Sequence, residues 1–224
     1  MELKLLLKKK KKIAKEAESF SPEQKMALHA LQKQKQILEL KEWGMVMAFV
    51  GVSSLLRVPM QVMPNVEPLT FFAILAGWLF GKKKGIVTGV SSLLISNFLV
   101  FGGQGPWTIF QAVGFGIAGF LGGFLREKAK LWEVMTVTLT ATIIMQLIFN
   151  LGWSVMIGFN FLAAMLTGII FTAVQIISNL IFATFMPLMR KFVYEKGQFN
   201  EKELCDAAIA ELNSRMPKHK PTIS

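Results

Sequence analysis

Cysteine, histidine and aspartate are almost missing from this chain of 224 residues. Cysteine occurs once, at Cys205, so no internal disulfide and no cysteine metal site can form. The two histidines, His29 and His219, and the one aspartate, Asp206, lie in the polar terminal stretches as well. The apolar body between them therefore carries few groups suited to acid–base or nucleophilic catalysis. No G-x-x-x-x-G-K-S/T loop exists, and the basic stretch Gly81-Lys-Lys-Lys-Gly85 lacks its spacing, which excludes ATP binding by that route. A run of intramembrane acids or histidines that would relay protons is missing too, which weakens a self-powered transporter. The N-terminus is basic but has no apolar segment before residue 43, so a cleaved signal peptide is not expected.

What is present is hydrocarbon. The chain is 53% hydrophobic, with a mean hydropathy of +0.47, far above a soluble domain of this length. The apolar residues come in blocks long enough to span a bilayer, which predicts an all-α fold. Six spans are expected: Trp43 to about Met63, Val66 to Phe80, Gly85 to Phe101, Thr108 to Leu125, Leu131 to about Ile157, and Phe161 to about Met189. Three regions follow: a basic extension at 1–42, a six-helix membrane domain at 43–190 and a polar tail at 191–224.

Charge supplies the orientation. The formal net charge of +11 is concentrated at Lys8 to Lys12, Lys82 to Lys84, Arg126/Lys128/Lys130 and Arg190/Lys191/Lys196. Such a distribution argues for membrane topology rather than a nucleic-acid partner. With the N-terminus inside, these groups and the C-terminus all face the cytoplasm, and only Arg57 falls on the outer half. The reverse orientation would put nearly every positive charge outside.

The extensions carry helix signals. Ser21-Pro22-Glu23-Gln24 reads as an N-cap with a capping box, opening a helix to roughly Leu40. The preceding lysines read either as a solvated tail or as contacts to anionic lipid heads. Asn200-Glu-Lys-Glu203 is a second cap signature, ahead of a short helix with Leu204, Ala208 and Leu212 on one face and Cys205 and Ile209 beside it.

Polar residues inside the apolar body are the candidates for chemistry. On the outer side these are Arg57, Gln61, Asn65, Glu67, Gln104, Trp107, Gln111, Asn150, Trp153 and Asn160. The loop Phe101-Gly-Gly-Gln-Gly-Pro-Trp-Thr108 cannot face lipid, because its backbone groups would go unpaired there. Trp107 and Gln111, four apart, start the next helix on one face, and Gln146, Asn150 and Trp153 share another. Each alone is readily explained by helix packing or an interface belt; their convergence predicts an outward-facing small-molecule pocket. Arg57 either pairs with Glu67 or snorkels. Gln175 and Asn179 read as interhelical hydrogen bonding, and Asn97 is left open. Stripes at Gly114/Ala118/Gly122, Gly119/Gly123 and Gly85/Gly89 read as close helix packing, whereas Gly44/Ala48 beside Trp43 serves packing or docking to a second membrane protein.

This pattern resembles a known family. Six short spans with both termini inside, Pro64-Asn-Val66 after the first span, and Gly105-Pro-Trp-Thr108 followed by Gln111 are similar to S components, the substrate-binding membrane subunits of energy-coupling factor (ECF) vitamin transporters. The likeness covers roughly residues 43–190. It implies a vitamin bound in an outer pocket, with Arg57, Asn65, Gln104, Trp107, Gln111, Asn150, Trp153 and Asn160 as ligand-contact candidates. It also implies toppling in the membrane against a T subunit while two ATPase subunits supply the energy, with no cofactor bound by the chain itself and no enzymatic activity. The family's Ala-x-x-x-Ala docking motif is matched here by Gly44-x-x-x-Ala48, a departure at the first position. Cobalamin is the first substrate candidate, because the Gly-Pro-Trp-Thr loop looks like that of cobalamin-type or unassigned members. Riboflavin, thiamine, biotin and a queuosine precursor stay open. Arg57 and Glu67, the only outer charges, argue against a strongly charged ligand. A stand-alone permease and a small membrane enzyme are the other readings.

Overall fold

The structure, a computed structural model, describes residues 21–197 and 200–214. Eight helices and no strand occur among them: α1 (Pro22–Met60), α2 (Leu69–Phe80), α3 (Lys82–Ser96), α4 (Trp107–Gly122), α5 (Leu131–Ile157), α6 (Phe161–Thr167), α7 (Ile169–Gly197) and α8 (Asn200–Ser214). The lysine run at 8–12 and His219 lie outside the described residues. Of the described residues, 21–41 with 200–214 fall in one compact unit, and Glu42–Gly197 forms the other.

The expected capping box opens α1. Ser21 N–H donates to Gln24 Oε1 (3.1 Å) and Gln24 N–H donates to Ser21 Oγ (3.2 Å). The helix does not stop near residue 40 but runs on as 39 residues to Met60. Between Glu23 and Trp43 the chain has neither glycine nor proline, only good helix formers, so nothing interrupts it. In the first unit Gln34 donates to Glu201 (3.1 Å) and Lys35 pairs with Asp206. The buried line of α8 differs from the expected one: Cys205 is buried, with Ala208, Ile209 and Leu212 half-buried, while Leu204 is 68% exposed.

In the second unit, α2, α3 and α4 pack on one another, α4 continues onto α5, and α5 and α2 both meet α7. The basic turn expected at 81–85 shrinks to Gly81 alone (φ 91°), a conformation glycine adopts without a Cβ penalty. Lys82 to Lys84 instead form the first turn of α3. The expected sixth span is divided at Gly168 into α6 and α7.

Glycine stripes bring these backbones together. A Cβ on Gly119 would sit 2.1 Å from Gly85 O, and one on Gly122 would sit 2.2 Å from Ile74 O. Side chains are excluded from both seams, so dispersion between backbones replaces side-chain interdigitation. The α1–α3 seam is held differently, by polar side chains. Lys84 pairs with Glu42 near one end, Ser53 Oγ donates to Ser92 Oγ (2.7 Å), and Arg57 reaches Ser96 at the other end. The opposite face of α1, with Gly44, Ala48 and Leu55, is exposed.

The interior mixes an apolar core, with Leu69, Ile74, Leu75, Leu93, Phe115 and Met145 fully buried, with many polar side chains, and the surface is rich in large apolar residues. Ser53, Ser92, Thr138, Thr142, Gln175 and Asn179 are buried, whereas Ile170, Leu166, Leu188 and Ile177 are largely exposed. Three helices are long and apolar enough to cross a membrane: α1, α5 and α7. The helices α2, α3 and α4 have 12, 15 and 16 residues, short of the roughly 20 that a straight crossing needs.

The seam geometry sets a stability contrast. Gly119→Ala forces Cβ against the Gly85 backbone, which cannot rotate away, and should destabilise by about 1–3 kcal/mol. Gly51→Ala, where nothing lies within 4 Å of a new Cβ, should leave the melting temperature in detergent unchanged or raised. Equal melting curves for the two variants would refute the close-packed seam.

Candidate functional site

Several polar residues of the second unit converge on one side chain, Arg57, in the last turn of α1. Its Nε lies 3.0 Å from Glu67 Oε2, and its Nη1 donates to Ser96 Oγ (2.8 Å) and Asn97 Oδ1 (2.7 Å). Arg57 and Glu67 are 15% and 13% exposed, so the pair is largely withdrawn from solvent and neutralised internally. A planar guanidinium suits this role, since its donors fan out in one plane toward several acceptors. Asn97 passes the connection on by donating to Thr108 Oγ1 (3.4 Å), which also accepts the Gly105 N–H (3.0 Å). The Gly105-Pro-Trp-Thr108 motif is thereby tied to the end of α1. Asn97, left open by sequence, is the link.

The loop before α2 is anchored on the opposite side. Asn65 takes a positive φ of 61°, its Nδ2 donates to Phe171 O (3.0 Å), and its carbonyl accepts from Ser178 Oγ (3.3 Å) on α7. Left-handed backbone is tolerated by asparagine far better than by the valine that follows. Pro64-Asn-Val66 is therefore a stitch between that loop and α7.

Between these anchors lies a cavity of about 660 Å³, within the range of sites for drug-sized ligands. Its lining includes Arg57, Gln61, Asn65 and Glu67, Gln111 of α4, and Gln146, Phe149, Asn150 and Trp153 of α5, with Gln175 of α7 and apolar members such as Met63, Val66 and Val100. Its floor is a buried amide cluster in which Gln146 bonds to Gln175, Thr172 donates to Gln146 Oε1 (3.1 Å) and Gln175 reaches Glu67 (3.4 Å). Farther along the same seam Asn179 donates to Thr142 Oγ1 (2.9 Å). Gly168 lets α5 come close, since a Cβ there would lie 2.9 Å from Asn150 Oδ1. A second, aromatic chamber of about 360 Å³ is lined by Trp107, Phe110, Gln111, Phe149, Gly152, Trp153 and Met156.

Of the residues expected to contact a ligand, Arg57, Asn65, Gln111, Asn150 and Trp153 line the main cavity, and Trp107 lines the aromatic chamber. Gln104 and Asn160 do not. Gln104 Nε2 is spent on Leu94 O (2.7 Å), and Asn160 is the N-cap of α6, accepting from Leu162 N–H (2.8 Å). Arg57 lines the wall but serves first as a tie between loops. Gln146, grouped by spacing with Asn150 and Trp153, lines the cavity with them, as does Gln175, which sequence assigned to helix–helix hydrogen bonding. Their spacing of four from Asn179 and Asn150 carried the signal, but only the fold puts them opposite each other. No group of three or more potential metal ligands occurs among the described residues.

The chain belongs to a family of unknown function, DUF6580, which it matches over residues 38–199. No curated protein and no solved structure matches it.

The arginine hub yields a double-mutant test. Arg57→Met leaves Glu67 enclosed without its counter-charge and should cost about 3–5 kcal/mol. Combining it with Glu67→Gln should recover a large part of that loss, as read from thermal unfolding in detergent. Additive single effects would rule out the pairing.

Proposed function

We propose that the chain is the substrate-binding membrane subunit, or S component, of an ECF-type importer, and that it takes up a vitamin or related micronutrient. The observation that carries this reading is the cavity: about 660 Å³, walled by amides and aromatics, with its one ion pair compensated internally. Such a site suits tight binding of a small molecule and leaves no group committed to bond-making. In this reading six helical segments occupy the membrane, with α2, α3 and α4 as short spans. Both termini are cytoplasmic, as the basic residues argue, and the cavity opens outward.

The exposed α1 face supports the same reading. Gly44 and Ala48 are exposed, and nothing lies within 4 Å of a Cβ built on Gly44. A flat stripe of this kind offers a partner helix close backbone approach. A T subunit is the proposed occupant, with two ATPase subunits supplying the energy that this chain has no motif to provide. The cavity volume favours ligands smaller than cobalamin, which moves riboflavin, thiamine, biotin and a queuosine precursor ahead of it as candidates. A stand-alone permease is the alternative, since a ring of polar side chains alone would also serve it.

Tagged full-length protein should co-purify from membranes with a T subunit and two ATPases, and Ala48→Leu should abolish that association while leaving ligand binding intact. Uptake by vesicles holding this chain alone would refute the S-component assignment. Small molecules extracted from the purified protein should be depleted at least tenfold in Asn150→Ala and Trp153→Ala. Unchanged recovery in both variants would dismiss the cavity as the binding site.

A further inference from the structure

We propose that the seam between α3 and α4 holds one molecule of an anionic phospholipid, with an acyl chain in an apolar groove and the phosphate at Lys82 and Lys83. The inference goes beyond small-molecule uptake and takes from that reading only the placement of α3 and α4 in the membrane.

The two helices run antiparallel, since Gly85 meets Gly119 and Gly89 meets Phe115. Lys82, Ile86 and Val90 follow one another at spacings of four on α3, and Ala112, Gly116 and Phe120 do the same on α4. Ile86 and Val90 border a groove with the α4 row, about 330 Å³ in volume, and every residue lining it is apolar. Gly116 keeps it open. A Cβ there would lie 3.2 Å from Val90 Cγ2 and 3.7 Å from Ile86 Cγ2, so a larger side chain would fill the space.

At one end the groove meets a fixed cation. Phe120 lines it, and the Lys82 ammonium lies 5.3 Å from the Phe120 ring centre and 3.3 Å from that of Phe124. The Lys82 stem is packed along Gly123, where a Cβ would come within 2.4 Å of its Cγ. Rings and backbone thus hold this ammonium beside the groove. Its charge is uncompensated. Among the described residues Lys84, Arg126 and Arg190 each have a carboxylate partner, at Glu42, Glu133 and Glu127, whereas Lys82 and the exposed Lys83 have none. No acidic residue occurs in the first turn of α3, so the positive end of the helix dipole adds to both lysines.

An apolar groove that ends at uncompensated cations matches an amphiphile with a negative head and a linear tail. A partner helix would fill the groove but leave both lysines unpaired. In the proposed topology the first turn of α3 also stands at the level of the headgroups.

Native mass spectrometry tests this on the full-length protein in non-ionic detergent, given equal amounts of dioleoyl phosphatidylglycerol and dioleoyl phosphatidylcholine. One phosphatidylglycerol adduct is expected, roughly tenfold or more above the phosphatidylcholine adduct. Lys82→Gln should remove most of that preference. Lys128→Gln, at an exposed lysine outside the groove, should leave it unchanged. Ile86→Trp, which fills the groove from an exposed position, should abolish the adduct with both lysines in place. Glycerol phosphate, a headgroup without a tail, should not displace it. Equal adducts of the two lipids, the same loss with Lys128→Gln as with Lys82→Gln, displacement by glycerol phosphate, or retention in Ile86→Trp overturns the proposal. So does a dimer that Ile86→Trp dissociates, since a second copy would then occupy the groove. The lipid comparison and Ile86→Trp decide the matter even if Lys82→Gln does not fold. Release of the chain from membranes by alkaline carbonate would defeat the membrane placement as well; an integral protein without lipid preference defeats this inference alone.

Discussion

One end of the second unit depends on one largely buried ion pair. Arg57 joins the end of α1 to the loop before α2 through Glu67, and to the end of α3 through Ser96 and Asn97. Asn97 extends the connection to Thr108 at the start of α4. Four segments distant in sequence are thus held by one guanidinium. The pair costs desolvation, and in a poorly hydrated setting such a group survives only when nearly all its donors are used. Here that spending also neutralises the cavity wall. The same contact therefore stabilises the rim and sets the charge that a ligand meets.

Below the rim, two modes of helix packing divide the unit. Close contacts of Gly119 on Gly85 and of Gly122 on the Ile74 backbone bring α2, α3 and α4 together and leave no room for a side chain. The seam between α5 and α7 is instead built of amides and hydroxyls, with Gln146, Gln175, Thr142 and Asn179 hydrogen-bonded across it. Polar side chains that would be wasted on a lipid-facing surface serve here as both packing and wall.

Much of this was legible in advance because of periodicity. Residues four apart on a helix must share a face, so Gln146 with Asn150, and Trp107 with Gln111, could be grouped without a structure. The capping box at Ser21 and the Arg57–Glu67 pairing were likewise readable from spacing and from scarcity of charge. Gln104 and Asn160 lie outside the cavity because both satisfy backbone, Asn160 the local Leu162 N–H as a helix cap and Gln104 the Leu94 carbonyl of α3. Nothing in one sequence distinguishes those uses. Gln175 was assigned to a helix contact, which it makes, but a side chain can bond across a seam and border a cavity at once.

Sequence by itself determined the helical class, the apolar character of the body and the groups available for chemistry. These follow from local propensity, hydropathy and residue type, which need no knowledge of neighbours. Tertiary structure alone decided that α6 and α7 part at Gly168. It also decided which amides meet and which of them, Gln111 and Asn179, keep an enclosed acceptor unpaired. Hydrogen-bond satisfaction is a property of pairs brought together from distant positions, and no reading along the chain can count it.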